Sequence, residues 1–195
     1  MPMDPARKVA TYADLAALPE GEFAELRGGE IVTQPAPRPR HGRTQRVLGS
    51  VLGGPFDDDD GFGGPGGWWI FIEVEVRLGS EVVRPDLVGW RGARLVDTDQ
   101  RPFDVVPDWT CEVIAPSTAS RDRVYKRRLY AKHGVAHYWI VDPHARTLEA
   151  LELNVGTWRD AGTFDDTAIA RAAPFEATEV AVGRLFLPRT SAPEE

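Results

Sequence analysis

Asp86 follows a proline in VVRPDLVGW, and Glu112 is the one acid in the apolar run WTCEVI. An isolated carboxylate among such neighbours is unfavourable by several kcal/mol, so each is expected to be paired or metal-bound. Opposed residues on neighbouring strands have Cβ atoms only about 5 Å apart, which lets these two acids lie side by side at one end of a sheet. Two converging carboxylates suit a hard, oxygen-seeking cation, Mg²⁺ in phosphate chemistry, with Mn²⁺ as the alternative. A lysine near that metal can orient a water and help to deprotonate it, and can stabilise the negative charge that builds as a phosphodiester is attacked. Flanking arginines would hold the remaining phosphates. Two basic islands supply candidates: Arg38, Arg40, Arg43 and Arg46 around His41, and Arg121, Arg123, Lys126, Arg127, Arg128 and Lys132 beyond Glu112.

Several elements must position these groups. TYADLAAL reads as a short helix over 11–18 with Thr11 as N-cap and Asp14 in the capping-box position. FAELRGGEIVTQ is a hairpin turning at Gly28-Gly29, and Val47, Leu48, Val51 and Leu52 mark a helix over 42–52. Alternation in WWIFIEVEVRLG predicts a strand with Ile70, Ile72, Val74, Val76 and Leu78 on one face and Glu73, Glu75 and Arg77 on the half-exposed other face. A turn at Gly79-Ser80 leads to a second strand carrying Val82, Val83 and, after Pro85, Asp86. A strand over 109–115, a helix over about 120–133 stopped by Gly134, and strands at YWIVDP and TLEALEL follow. Beyond 156 the pattern weakens, with a last strand expected at GRLFL.

Two motifs fail on context. Gly61, Gly63 and Gly66 form a GxGxxG, but Pro65 intrudes and a strand follows where a nucleotide-binding loop needs a helix. DDDDG lacks the glutamate of a calcium loop at the twelfth position from Asp57, which is Trp68.

With 195 residues, the chain reads as a single α/β domain with a mixed sheet. No window reaches the ~20 apolar residues of a membrane span, and the N-terminus lacks the apolar run of a secretory signal, so a cytoplasmic protein is expected. Its one cysteine, Cys111, excludes an internal disulfide and a cysteine-based zinc cage, and reads as a small buried hydrophobe. A net charge of -7 argues against a nonspecific nucleic-acid coating protein while leaving local basic surfaces open. The tryptophans are assigned to the core and to a subunit interface.

The ordered set VVRPDLVGWR, CEVIAPSTASRDRVYKRRLYAKHGVAHYWIVDP resembles the Uma2 family (the DUF820 domain) of the PD-(D/E)XK restriction-endonuclease-like superfamily. The resemblance runs from about AELRGGEIV to TLEALEL, giving a core over about 20–155 and a C-terminal extension over 156–195. It implies a restriction-endonuclease-like mixed sheet flanked by helices, and a metal-dependent endonuclease acting on nucleic acid, DNA first. Asp86 would be the PD aspartate and Glu112 the acid of the E-x-K element, together holding the metal. The residue two after Glu112 is Ile114 where the motif has lysine. On a strand that position shares a face with Glu112, so the lysine must come from elsewhere. Lys126 is the candidate, with Asp122 four residues before it and Tyr130 four after, on one helical face. Against it stands an ordinary Asp122–Lys126 surface pair. Glu25 and His41 are expected to line the site, although a hairpin ion pair with Arg27 and a solvent-facing helix start would also explain them. Asp142 reads as a turn cap. A homodimer is expected by analogy with nucleases that cut both strands. The competing reading, favoured by Ile114 and the acidic net charge, is an inactive nucleic-acid-binding or protein-interaction module on the same fold.

Overall fold

The computed structural model describes residues 9–19, 21–57, 62–94, 97–115 and 122–189, with Asp122 described for its backbone only. In chain order the elements are α1 (Tyr12–Ala16), β1 (Ala24–Arg27), β2 (Glu30–Thr33), α2 (Pro39–Phe56), β3 (Trp68–Ile72), β4 (Val76–Leu78), β5 (Glu81–Val83) and β6 (Leu87–Arg91). Then follow β7 (Trp109–Val113), α3 (Arg127–His133), β8 (His137–Asp142), β9 (Thr147–Asn154), β10 (Thr157–Phe164), β11 (Ile169–Ala170) and β12 (Val180–Ala181). The main sheet has strand order β10-β9-β8-β7-β6-β3, and a four-stranded sheet has order β2-β1-β5-β4. β7 and β8 run parallel and the other neighbours in the main sheet antiparallel, so that sheet is mixed. The parallel pair requires a crossover, and α3 lies within it.

Alternation along the central strands divides the core. Trp109, Cys111 and Val113 of β7 pack with Leu48, Leu52 and Phe56 of α2 on one side of the sheet. Val88, Trp90, Tyr138 and Ile140 pack with Leu129 and Tyr130 of α3 on the other. Ile114 belongs to this second layer, which is why an apolar residue stands where the motif has lysine. Phe175 centres an aromatic cluster, its ring 4.8 Å from those of Phe56 and Trp68 and 5.0 Å from Trp109. Gly89 lies beneath it: a Cβ there would come within 3.3 Å of both Trp68 and Trp109, so only glycine fits without repacking.

Some expectations hold and others shift. Thr11 and Asp14 form both bonds of the capping box, and the hairpin pairs Arg27 with Glu30 around Gly28-Gly29. The second helix is longer than 42–52. Pro39 suits its first position, with φ already helical. At the far end the helix continues through Gly53, Gly54 and Pro55 because Phe56 is buried in the core, so packing overrides propensity. The long alternating strand is two strands in different sheets, broken at Glu73, whose φ is 55°. GRLFL is not a strand: Val182–Leu185 form a short 3-10 turn that buries Val182 and Leu185 against the aromatic cluster. The segment after 156 continues the main sheet as β10, paired with β9 from Thr157 to Phe164 with one bulge between Asp160 and Gly162. Asp58, Asp59, Asp60 and Gly61 lie outside the described residues. No helix among the described residues is long and apolar enough to cross a membrane.

Cys111 is fully buried, and burial pushes its thiol well above the usual range, with the Asp86 and Glu112 carboxylates acting in the same direction. The native protein is therefore expected to leave Cys111 unmodified by an aromatic disulfide reagent at pH 8, and to react fully once unfolded in guanidinium.

Candidate active site

The acids meet at one end of the main sheet. Ile72 pairs with Leu87 and Leu87 with Cys111. One residue further along the same row, the backbones carry Glu73, Asp86 and Glu112. Asp86 Oδ2 accepts the N–H of Val113 at 2.6 Å, which ties the PD loop to the strand bearing Glu112. His41, from the first turn of α2, places Nε2 3.1 Å from Asp86 Oδ1. Gln45, one helical turn on, donates from Nε2 to Glu73 Oε1 at 3.0 Å and to the Asp86 carbonyl at 2.9 Å. The positive φ at Glu73 thus ends β3 where its carboxylate turns back toward α2.

Glu112 is 2% exposed and lies on the α3 side of the sheet. Lys126 Nζ sits 2.7 Å from Glu112 Oε2 and 3.3 Å from Glu25 Oε1. Tyr130 donates its hydroxyl to Glu112 Oε1 at 2.6 Å. Glu25 also accepts the N–H of Arg84 at 2.8 Å and pairs with Arg27. Lys126 is itself 2% exposed, buried like Arg27 and unlike the other cations of its own helical segment. Arg123, for example, is a half-exposed partner of Glu149 and Asp142. The turn Asp122–Lys126 is wound as a π-helix, so the expected spacing of Asp122 and Lys126 on one α-helical face does not apply. Whether Asp122 pairs with Lys126 lies outside the described residues.

A cavity of about 270 Å³ opens above these groups, lined among others by Glu25, Arg38, His41, Glu73, Arg84, Asp86, Val113 and Lys126. Glu112 is one residue behind its wall. Glu73 and Gln45 are the site groups that reading by alternation missed. A regular strand through residues 68–78 would be about twice the usual five to six, and that excess length was the available sign of a break. Asp142 does cap a turn, accepting the N–H groups of His144 and Ala145 at 2.9 Å.

The donor set is oxygen-rich, and Cys111 faces the opposite core layer. Among the described residues no three His, Cys, Asp or Glu side chains form a ready-made metal cage. An oxygen-rich donor set suits a hard divalent cation.

Glu75, expected on a half-exposed face, is instead 6% exposed beneath the site. Its carboxylate receives the Tyr12 hydroxyl at 2.9 Å, Arg84 Nη2 at 3.1 Å and two bonds from Arg101 at 2.9 and 3.0 Å. Burial pushes its pKa up, but the bonds from Arg101, Tyr12 and Arg84 outweigh it and hold the carboxyl at about 2 against an ordinary 4.5. A depressed folded-state pKa stabilises the fold above the unfolded value and ceases to do so as pH falls through the folded one. With Arg101 69% exposed on its side chain, solvent screening reduces the contribution to about 2 kcal/mol. Glu75→Gln is therefore expected to lower the melting temperature by about 4–8 °C at pH 7. In thermal melts the gap to the parent should close as pH falls from about 4.5 toward 2.

Comparison with known proteins agrees with this architecture. A family model, Uma2, described as "Putative restriction endonuclease", matches residues 9–183. A crystal structure described as "a putative nuclease belonging to DUF820", from Anabaena variabilis, superposes with a TM-score of 0.73 at 21% identity. The match covers 90% of this chain and 97% of that one, and at this identity it shows the shared fold. No curated protein matches.

Proposed function

The chain belongs to the Uma2 family of restriction-endonuclease-like proteins, and from that premise we propose that it is a metal-dependent nuclease hydrolysing phosphodiester bonds, DNA first among substrates. The observation that carries the reading is Lys126, whose amine reaches Glu112 at 2.7 Å from the following helix. A buried lysine meets the acid of the motif although Ile114 has replaced the usual one.

Asp86 and Glu112 are the proposed metal ligands; a bound Mg²⁺ would supply Lewis-acid polarisation of the scissile phosphate. Asp86 is held for this by the Val113 N–H and by His41. Tyr130 holds Glu112, fixing which oxygen Lys126 approaches. Lys126 Nζ orients the attacking water and stabilises charge building on the phosphate. Arg38 and Arg84, both lining the cavity, hold adjoining phosphate oxygens. Pairing of two copies is the proposed route to cutting both strands.

Incubation with plasmid, single-stranded DNA and RNA in Mg²⁺ or Mn²⁺ tests the reading. Cleavage that needs both the metal and Asp86 is expected; its absence on every substrate would sink it. One observation favours the inactive module: Glu112 is almost completely buried with both oxygens engaged. That alternative predicts nucleic-acid or partner binding without cleavage, indifferent to metal and surviving Asp86→Ala.

A further inference from the structure

On another side of the α2 start lies a smaller cavity, about 140 Å³, lined among others by Arg40, His144, Arg146, Leu187 and Arg189. Three segments distant in sequence build it: the first turn of α2, the β8–β9 turn and the stretch after Phe186. The groups are held in place. Asp142 shapes the β8–β9 turn, and Arg146 there takes a φ of 59°. The Arg146 guanidinium bonds Asp166 through Nε and the Leu187 carbonyl through Nη1 at 2.8 Å, and lies 5.1 Å over the Phe186 ring. Arg189 reaches the same Asp166 oxygen at 2.8 Å.

One carboxylate therefore serves two guanidinium groups. A third, on Arg40, has no hydrogen-bond or ion-pair partner among the described residues, and the His144 imidazole has none either. The result is a concave surface with surplus positive charge on a chain whose net charge is -7. Leaving a guanidinium unpaired there makes sense where an anion completes the set.

Position identifies the anion. Arg40 lies between Arg38 and His41, both of which line the Asp86 cavity, so the two cavities flank the same first turn of α2. Each strand of a duplex carries a phosphate per ~3.4 Å of axis, so a backbone with one phosphate at Asp86 has others within a few nucleotides to reach Arg40. We infer that the Arg40–His144–Arg146–Arg189 pocket is a phosphate subsite, gripping the nucleic-acid backbone beside the reacting phosphate. This rests on the nuclease reading for its choice of ligand.

The test is binding of labelled single-stranded and duplex DNA 20-mers in EDTA, where no cleavage occurs, across a salt series. Arg40→Ala and Arg189→Ala are each expected to weaken binding and to flatten the plot of log affinity against log salt by about 0.7 for single strands and 0.9 for duplex. Arg40→Lys should keep the slope. Arg159→Ala, an exposed arginine on β10, should change nothing. Unchanged slopes for Arg40→Ala and Arg189→Ala, or losses no larger than that of Arg159→Ala, overturn the subsite. So does an Arg40→Ala effect confined to inorganic phosphate, which would make the pocket a free-anion site. Cleavage is scored separately: loss of the subsite with Asp86-dependent cleavage intact refutes only the subsite. Arg40-dependent binding without cleavage refutes only the nuclease.

Discussion

Lys126→Met is expected to destabilise the protein by about 3–5 kcal/mol, the cost of leaving buried carboxylates without their cation. Lys126, Glu25 and Glu112 are each no more than 2% exposed, so water cannot replace the lost ammonium. Arg27 and the Arg84 N–H still serve Glu25, and Tyr130 still serves Glu112. The damage therefore centres on Glu112, from which the amine stands 2.7 Å away. Urea unfolding would show it as a lower midpoint with unchanged slope. Pairing the change with Glu112→Leu removes the stranded charge and should recover a large part of the loss, since apolar replacement of a buried pair is often neutral or better. A double variant no more stable than Lys126→Met would mean that the pair is not coupled as drawn. If the recovered double variant also lacks cleavage, the inactivity cannot be blamed on unfolding. Because that variant also lacks Glu112, a proposed metal ligand, its inactivity reports on the pair together and not on Lys126 alone.

The same triad shows why the site was only half legible from sequence. Glu112 stood out because a strand position among Cys111, Val113 and Ile114 offers a charge no solvent, which is a local property. Asp86 stood out through Pro85. Lys126 could be nominated because a charge was missing at Ile114, yet its reach to Glu25 depends on how the small sheet packs against the helix, and no spacing in the sequence encodes that. Its turn is also π-wound, so α-helical periodicity led by an incomplete argument to a lysine that meets Glu112. Glu73 and Glu75 were misread together for one reason. Period-2 alternation is unbroken through Ile70–Leu78, and only the left-handed backbone at Glu73 divides it between two sheets. Glu75 then enters a pocket of arginines contributed by Arg84 and Arg101, which alternation cannot foresee. The C-terminal segment is harder still. Phe175, Leu185 and Phe186 pack against Trp68, Trp109 and Trp139 from turns and one short 3-10 segment, so their burial leaves no periodic trace.

Asp86→Asn should reduce metal-dependent cleavage by about a thousandfold or more while leaving the fold nearly intact. A ligand carboxylate that helps to place a divalent cation supports several kcal/mol of transition-state stabilisation, and about 4 kcal/mol corresponds to three orders of magnitude in rate. The structural cost is small for two geometric reasons. The asparagine carbonyl can still accept the Val113 N–H now bonded at 2.6 Å, and the side chain is 17% exposed, so the altered group keeps access to water. The charge-assisted component of that bond and the pairing with His41 are lost, together worth about 1–2 kcal/mol. Removing a negative charge from the cavity should leave oligonucleotide affinity in EDTA unchanged or slightly tighter, because the repulsion between Asp86 and phosphate is gone. Single-turnover cleavage, thermal melts and EDTA binding on one preparation distinguish the outcomes. Inactive, folded and still binding is the result that the metal-ligand role requires. Cleavage within tenfold of the parent would remove Asp86 from the chemistry and leave Glu73, in the same row of the sheet, as the acid to test.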